Sequence, residues 1–119
     1  MQIIAREMNL SETTFVVREK DGVNLRWFTP STKADLGGHA TLATAHILRE
    51  ERYLGGEELV RFLTKSGTLS AVRIGDLIEM DFPSMPEGQV SAPAGLSRAL
   101  GIQPVYTGIN KFDYFIEVV

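Results

Sequence analysis

The segment Gly37-Gly38-His39 opens onto Ala40 to Leu48, where Ala40, Leu42, Ala43, Ala45, Ile47 and Leu48 fall at nearly every angle of a helical wheel. A surface helix needs one apolar stripe, whereas a helix that is apolar all round has to be covered by protein. Whatever else the chain forms must enclose this helix. The glycines and polar residues before it predict that it starts near His39, and Gly55-Gly56 predicts its end. Its alanines leave room for strands to approach closely.

The flanking sequence supplies those strands. Thr13 to Val17 and Val23 to Thr29 are β-branched and aromatic, and Lys20-Asp21-Gly22 lies between them as a turn signal, so a hairpin is expected. Leu59 to Thr64, Thr68 to Ile74 and Leu77 to Phe82 read as three strands broken at Ser66-Gly67 and Gly75-Asp76. In the last of these, Ile78, Met80 and Phe82 share a face. Ile3, Ile4 and Met8 are spaced for a short helix over Met1 to Asn9 with one buried face and no N-terminal cap. Ser31 to Asp35 and Pro83 to Pro93 read as loops, Leu96 to Gly101 as a short helix, and Tyr114 to Val119 as a closing strand. An apolar strand at one end and a helix with no lead-in at the other suggest a piece of a larger protein.

Composition removes several functions. Twelve basic against fifteen acidic residues give a net charge of -3, with no basic footprint for nucleic acid. The mixed run Arg49-Glu50-Glu51-Arg52 reads as a solvated helix face. With no cysteine, disulfides, thiolate metal sites and a two-thiol racemase chemistry are excluded. No apolar run approaches the roughly 18 residues of a membrane span, so a cytoplasmic protein without membrane contact is expected. His39 and His46 without a third ligand make no metal site.

Three linked stretches carry a resemblance: Ile4-Ala5-Arg6-Glu7-Met8-Asn9-Leu10-Ser11-Glu12-Thr13-Thr14-Phe15, then Leu25-Arg26-Trp27-Phe28-Thr29-Pro30, then Asp35-Leu36-Gly37-Gly38-His39-Ala40-Thr41-Leu42-Ala43. Together they resemble the PhzF family of phenazine-biosynthesis isomerases. The likeness continues more weakly through Ser66-Gly67-Thr68-Leu69 and Met80-Asp81-Phe82-Pro83. It implies an α+β, diaminopimelate-epimerase-like fold: two similar halves, each with a mixed or antiparallel sheet wrapped around a central helix, and a site between the halves. Residues 1–119 would then be a single partial domain resembling the N-terminal half, without the strand and Gly-Asn-Pro motif that normally come first and without the second half.

The resemblance also implies roles. Glu12 would carry a proton during isomerisation, while His39 and Gly38 would hold the substrate, a small carboxylated metabolite. No cofactor is implied, whether metal, nucleotide or flavin. Physical reasoning gives this partial support. Moving a proton between carbons needs a group that takes and returns it, and a partly desolvated carboxyl can do so near neutral pH. Backbone amides at the start of a helix attract an anion such as a substrate carboxylate. Without the motif, Glu12 reads as an exposed carboxylate near a strand start, and His39 as a residue that caps or packs against the helix.

The neighbouring residues fill out the expected site. Ser11 and Thr13 either orient Glu12 or a ligand, or satisfy nearby backbone. Asp35 is expected to cap the helix or its approach, His46 to be a core or wall residue, Asp81 to be structural, and Trp27 and Phe28 to be core. The rival to a proton-shift isomerase is a non-catalytic half-domain or assembly module pairing with another chain, and a homo-oligomer stays open under either reading.

Overall fold

The alternation of apolar and polar residues along Gly22–Phe28 sets the architecture. Val23, Leu25 and Trp27 are buried while the residues between them are only partly covered, so this strand turns one face to a core and the other outward. In the computed structural model, which describes residues 1–54 and 59–119, the chain divides into two compact units, Met1–Pro83 and Ser84–Val119.

The first unit begins with helix α1 (Gln2–Met8), which ends on Asn9 in the left-handed conformation (φ 50°, ψ 37°) and has no side-chain cap at its start. Strands β1 (Thr13–Glu19) and β2 (Gly22–Phe28) form the expected hairpin, with Thr13 opposite Phe28 and Glu19 opposite Gly22. β3 (Lys33–Ala34), a two-residue strand within the expected loop, pairs antiparallel with the end of β2. Helix α2 (Gly38–Glu50) follows, then β4 (Leu59–Thr64), β5 (Gly67–Ile74) and β6 (Leu77–Asp81). The sheet runs β1-β2-β4-β5-β6, antiparallel except for the parallel pair β2 and β4. The start of β2 passes so close to β4 that a Cβ on Gly22 would lie 2.5 Å from the Arg61 carbonyl oxygen, and its φ of +153° also favours glycine.

The two end strands of this order, β1 and β6, both pack on α2. The sheet therefore curls around the helix. Its core joins Val23, Leu25 and Trp27 of β2, Val60 and Phe62 of β4, and Leu69 and Ala71 of β5 to Ala45 and Leu48 of α2. Ile78, Met80 and Phe82 add a partly buried face, as their alternation predicted.

Two burial expectations are corrected. In α1 only Ala5 is buried; Ile3 is 74% exposed, and Ile4 and Met8 are exposed as well. α2 is enclosed on the side of Thr41, Thr44, Ala45 and Leu48, but Leu42, Ala43 and Ile47 face outward, with Ile47 55% exposed. Periodicity could not tell these helices from buried ones, because an apolar residue reads the same whether or not the described residues cover it. α2 also stops at Glu50, and the expected terminator Gly55-Gly56 lies outside the described residues. His46 is exposed, on the wall of a small cleft shared with Arg49, Glu50, Arg73, Asp76 and Ile78.

The second unit contains β7 (Gly88–Gln89), helix α3 (Leu96–Leu100), β8 (Tyr106–Ile109) and β9 (Tyr114–Glu117), in a three-stranded antiparallel sheet ordered β7-β8-β9. β7 falls within the expected loop. α3 ends on Gly101 in the left-handed conformation, as the glycine there predicted. Among the described residues no helix is long and apolar enough to cross a membrane.

Candidate active site

The amino end of α2 is built by a short chain of hydrogen bonds reaching into the core. The indole Nε1–H of Trp27, whose residue is 2% exposed, donates to Thr41 Oγ1 at 3.1 Å. Thr41 Oγ1 in turn donates to the Gly37 carbonyl at 2.5 Å, and the Thr41 amide donates to the same oxygen at 3.1 Å. Gly37 is the N-cap, with extended backbone, and is itself buried. The first turn of the helix is thereby tied to the largest of the fully buried side chains. Farther along, Thr44 Oγ1 donates to the Ala40 carbonyl at 2.6 Å, which leaves it to accept in its 2.9 Å hydroxyl–hydroxyl bond with Thr14 Oγ1, fixing α2 against β1.

That attachment brings residue 12 to residue 37. Glu12 is half-buried, immediately before β1, and its carboxylate lies directly over the Gly37 backbone. A Cβ built on Gly37 would be 2.6 Å from both Oε1 and Oε2 of Glu12. The carboxylate thus occupies the volume that any other residue at 37 would fill with its side chain. An anion beside a helix N-terminus is favoured by the unpaired amides and the helix dipole, worth about 0.3–1 kcal/mol at an exposed position. Gly38 has open space around it, and His39 is exposed in the first turn of the helix.

Of the expected site residues, Glu12, Gly38 and His39 are thus grouped around one helix end, with Ser11 exposed next to Glu12 along the chain. Three neighbours differ from expectation. Asp35 does not cap the helix, which has no side-chain cap; the Asp35 carbonyl instead accepts from Ser66 Oγ at 2.7 Å. The Thr13 hydroxyl, expected to orient Glu12 or a ligand or to satisfy nearby backbone, is buried and bonds to neither Glu12 nor backbone among the described residues. Phe28 is only half-buried and meets Phe15 edge to face at 5.5 Å on the outer side of the sheet. Thr41 was not singled out by its sequence, although a threonine four residues after Gly37 is spaced to return its hydroxyl to that carbonyl. A larger cavity of about 480 Å³, lined by Arg18 to Val23, Leu54 and Leu59 to Arg61, contains none of the expected site residues. Among the described residues no group of three or more His, Asp or Glu is arranged to hold a metal.

Two substitutions test this geometry. Gly37→Ala should leave the fold intact, because the Glu12 carboxylate is the free end of a flexible side chain, but should push it off the helix end. The expected readout is a changed Glu12 carboxyl carbon resonance in NMR, with no change in Gly38→Ala, whose added methyl meets nothing. Thr41→Val removes the acceptor of a buried indole N–H. It should lower unfolding free energy by about 1–3 kcal/mol in urea titrations followed by circular dichroism.

A mixed sheet curled on a helix, with a carboxylate parked at the helix's amino end, defines an α+β protein with a candidate site at that end. The family model for phenazine biosynthesis-like proteins, PhzC-PhzF, matches residues 1–103, and the chain belongs to that family. An uncharacterized isomerase of Halalkalibacterium halodurans is 54% identical over 119 residues, covering 99% of this chain and 45% of that protein. The crystal structure of a PhzF-family phenazine biosynthesis protein from Enterococcus faecalis superposes with a TM-score of 0.79 at 38% identity, over 97% of this chain and 44% of that one. The Bacillus anthracis PhzF-family structure, 23% identical with a TM-score of 0.77 over 99% of this chain and 44% of that one, shares the fold. The chain spans less than half the length of these relatives.

Proposed function

We propose that the chain is the glutamate-bearing N-terminal half of a cofactor-independent isomerase that shifts a proton on a small carboxylated metabolite. The observation that carries this reading is the seat of Glu12 over Gly37 at the start of α2. The carboxylate takes a proton from a carbon of the substrate, and the electrons of the broken C–H bond move into the substrate's π system. The resulting carboxylic acid returns the proton to another carbon on the same face of the substrate. Oxidation state is unchanged, so the step needs no redox partner. His39, the open Gly38 and Ser11 would hold the substrate carboxylate, a role supported by the amides of the helix start, which favour an anion. The H. halodurans relative is itself called an isomerase.

The experiment is solvent-deuterium incorporation into candidate carboxylated metabolites, with the E. faecalis relative as reference. Exchange by the reference and none by this chain would show that the isolated chain is not the enzyme.

One observation favours a second reading, a non-catalytic half-domain that pairs with another chain. Ile3, Ile4, Met8 and Leu10 near the N-terminus, and Leu42 and Ile47 on α2, are all exposed. Contiguous apolar surface beyond a few hundred Å² usually marks an interface. A strictly monomeric chain by light scattering at all concentrations would count against it.

A further inference from the structure

The outer face of the sheet carries a group of cations that the proton-transfer reading does not use. Arg26 alternates with the buried Leu25 and Trp27, so it projects away from α2. Lys33 of β3 is paired with Phe28, two residues beyond Arg26 on that same outward face. Lys65 opens the turn after β4; carrying the parallel register of Asn24 with Leu63 forward by two residues places Lys65 alongside Arg26. The turn is fastened there, because Ser66 Oγ donates to the Asp35 carbonyl, two residues after Lys33. Three separate segments thus bring Arg26, Lys33 and Lys65 to one place.

Among the described residues, little of their hydrogen-bonding capacity is used. The Arg26 guanidinium donates from Nη1 to the carbonyl of its own neighbour Leu25, at a long 3.3 Å, whereas a guanidinium carries five donors. Two protonated lysines have donors only and cannot satisfy each other. The consequence shows at Lys33, whose pKa lies below the usual lysine value because of partial desolvation, then the charge of Lys65 and its close side-chain approach, then Arg26; the nearby Asp35 opposes this. Convergent donors with one opposing carboxylate suit an added acceptor of negative charge.

We infer that Arg26, Lys33 and Lys65 form a binding site for an oxyanion, a phosphoryl or carboxylate group, on the outer face of the sheet. Its test involves no turnover, so it stands or falls independently of the isomerase reading.

The test is NMR titration of the chain with inorganic phosphate and, separately, with malonate, at ionic strength held constant with sodium chloride. Saturable shifts confined to Arg26, Lys33, Lys65 and their neighbours Phe28 and Ala34 are expected with at least one of the two. Saturation by phosphate alone assigns a phosphoryl group, and saturation by malonate assigns a carboxylate. Lys33→Gln and Lys65→Gln should each weaken the apparent affinity at least threefold, while Lys20→Gln, in the β1–β2 turn, should leave it unchanged. If one lysine variant fails to fold, the other decides. Shifts that never saturate with either anion, or that are equal in the lysine variants and the parent, would overturn the site and leave general screening of surface charge.

Discussion

Glu12→Gln is expected to cut proton exchange by about a hundred- to ten-thousand-fold in any form of the protein that shows it, the range usually lost with a general acid–base group. Glutamine keeps the length and hydrogen-bonding reach of the side chain over Gly37 but cannot accept a proton from carbon. Substrate binding should therefore survive while the rate falls. Glu12→Asp separates position from chemistry: it keeps the carboxylate but draws it back by one methylene from the helix end, so an intermediate loss is expected. The measurement is deuterium incorporation by mass spectrometry, with substrate affinity determined in parallel. Equal exchange by Glu12→Gln and the parent would remove Glu12 from the chemistry and leave its seat at α2 as a structural contact.

Much of this site was legible because its parts are local in sequence. The hairpin, the strand limits at Leu59–Thr64 and the onset of α2 follow from β-branched runs, turn residues and paired glycines. The linked motifs around Glu12 and His39 pointed to the family, and the family match agrees. What the pattern could not convey was distance across the fold. Nothing in the spacing of residues 12 and 37 announces that the carboxylate of one fills the missing side chain of the other. The same limit explains α1 and α2: Ile3, Ile4 and Ile47 have the hydrophobicity of core residues, but burial depends on which partners reach them. β3 was hidden for a different reason, since two polar-flanked residues are too few to show alternation, and it forms only because the end of β2 presents an edge.

Trp27→Ala is expected to cost about 3–5 kcal/mol, as large-to-small changes at buried aromatic positions do. Domains of this size are stable by about 5–15 kcal/mol in all, so the variant should be close to unfolding at room temperature. Two effects add at this position. The ring sits between the β2 face and α2 in the core, and its N–H anchors the Thr41 hydroxyl that holds the Gly37 carbonyl. Trp27→Phe separates them by keeping most of the packing and deleting the hydrogen bond, and should cost nearer 1–2 kcal/mol. Because this is the chain's one tryptophan, unfolding has to be followed by far-ultraviolet circular dichroism rather than fluorescence. If the anchor positions the helix end as described, Trp27→Phe should also move the Glu12 carboxyl resonance despite its modest cost. A core substitution two strands away, such as Leu69→Ala on β5, should destabilise the fold by about 2–5 kcal/mol yet leave that resonance in place. Identical behaviour of the Glu12 signal in both variants would mean that the core supports the helix only in bulk and that the Trp27–Thr41–Gly37 chain carries no positional information to the site.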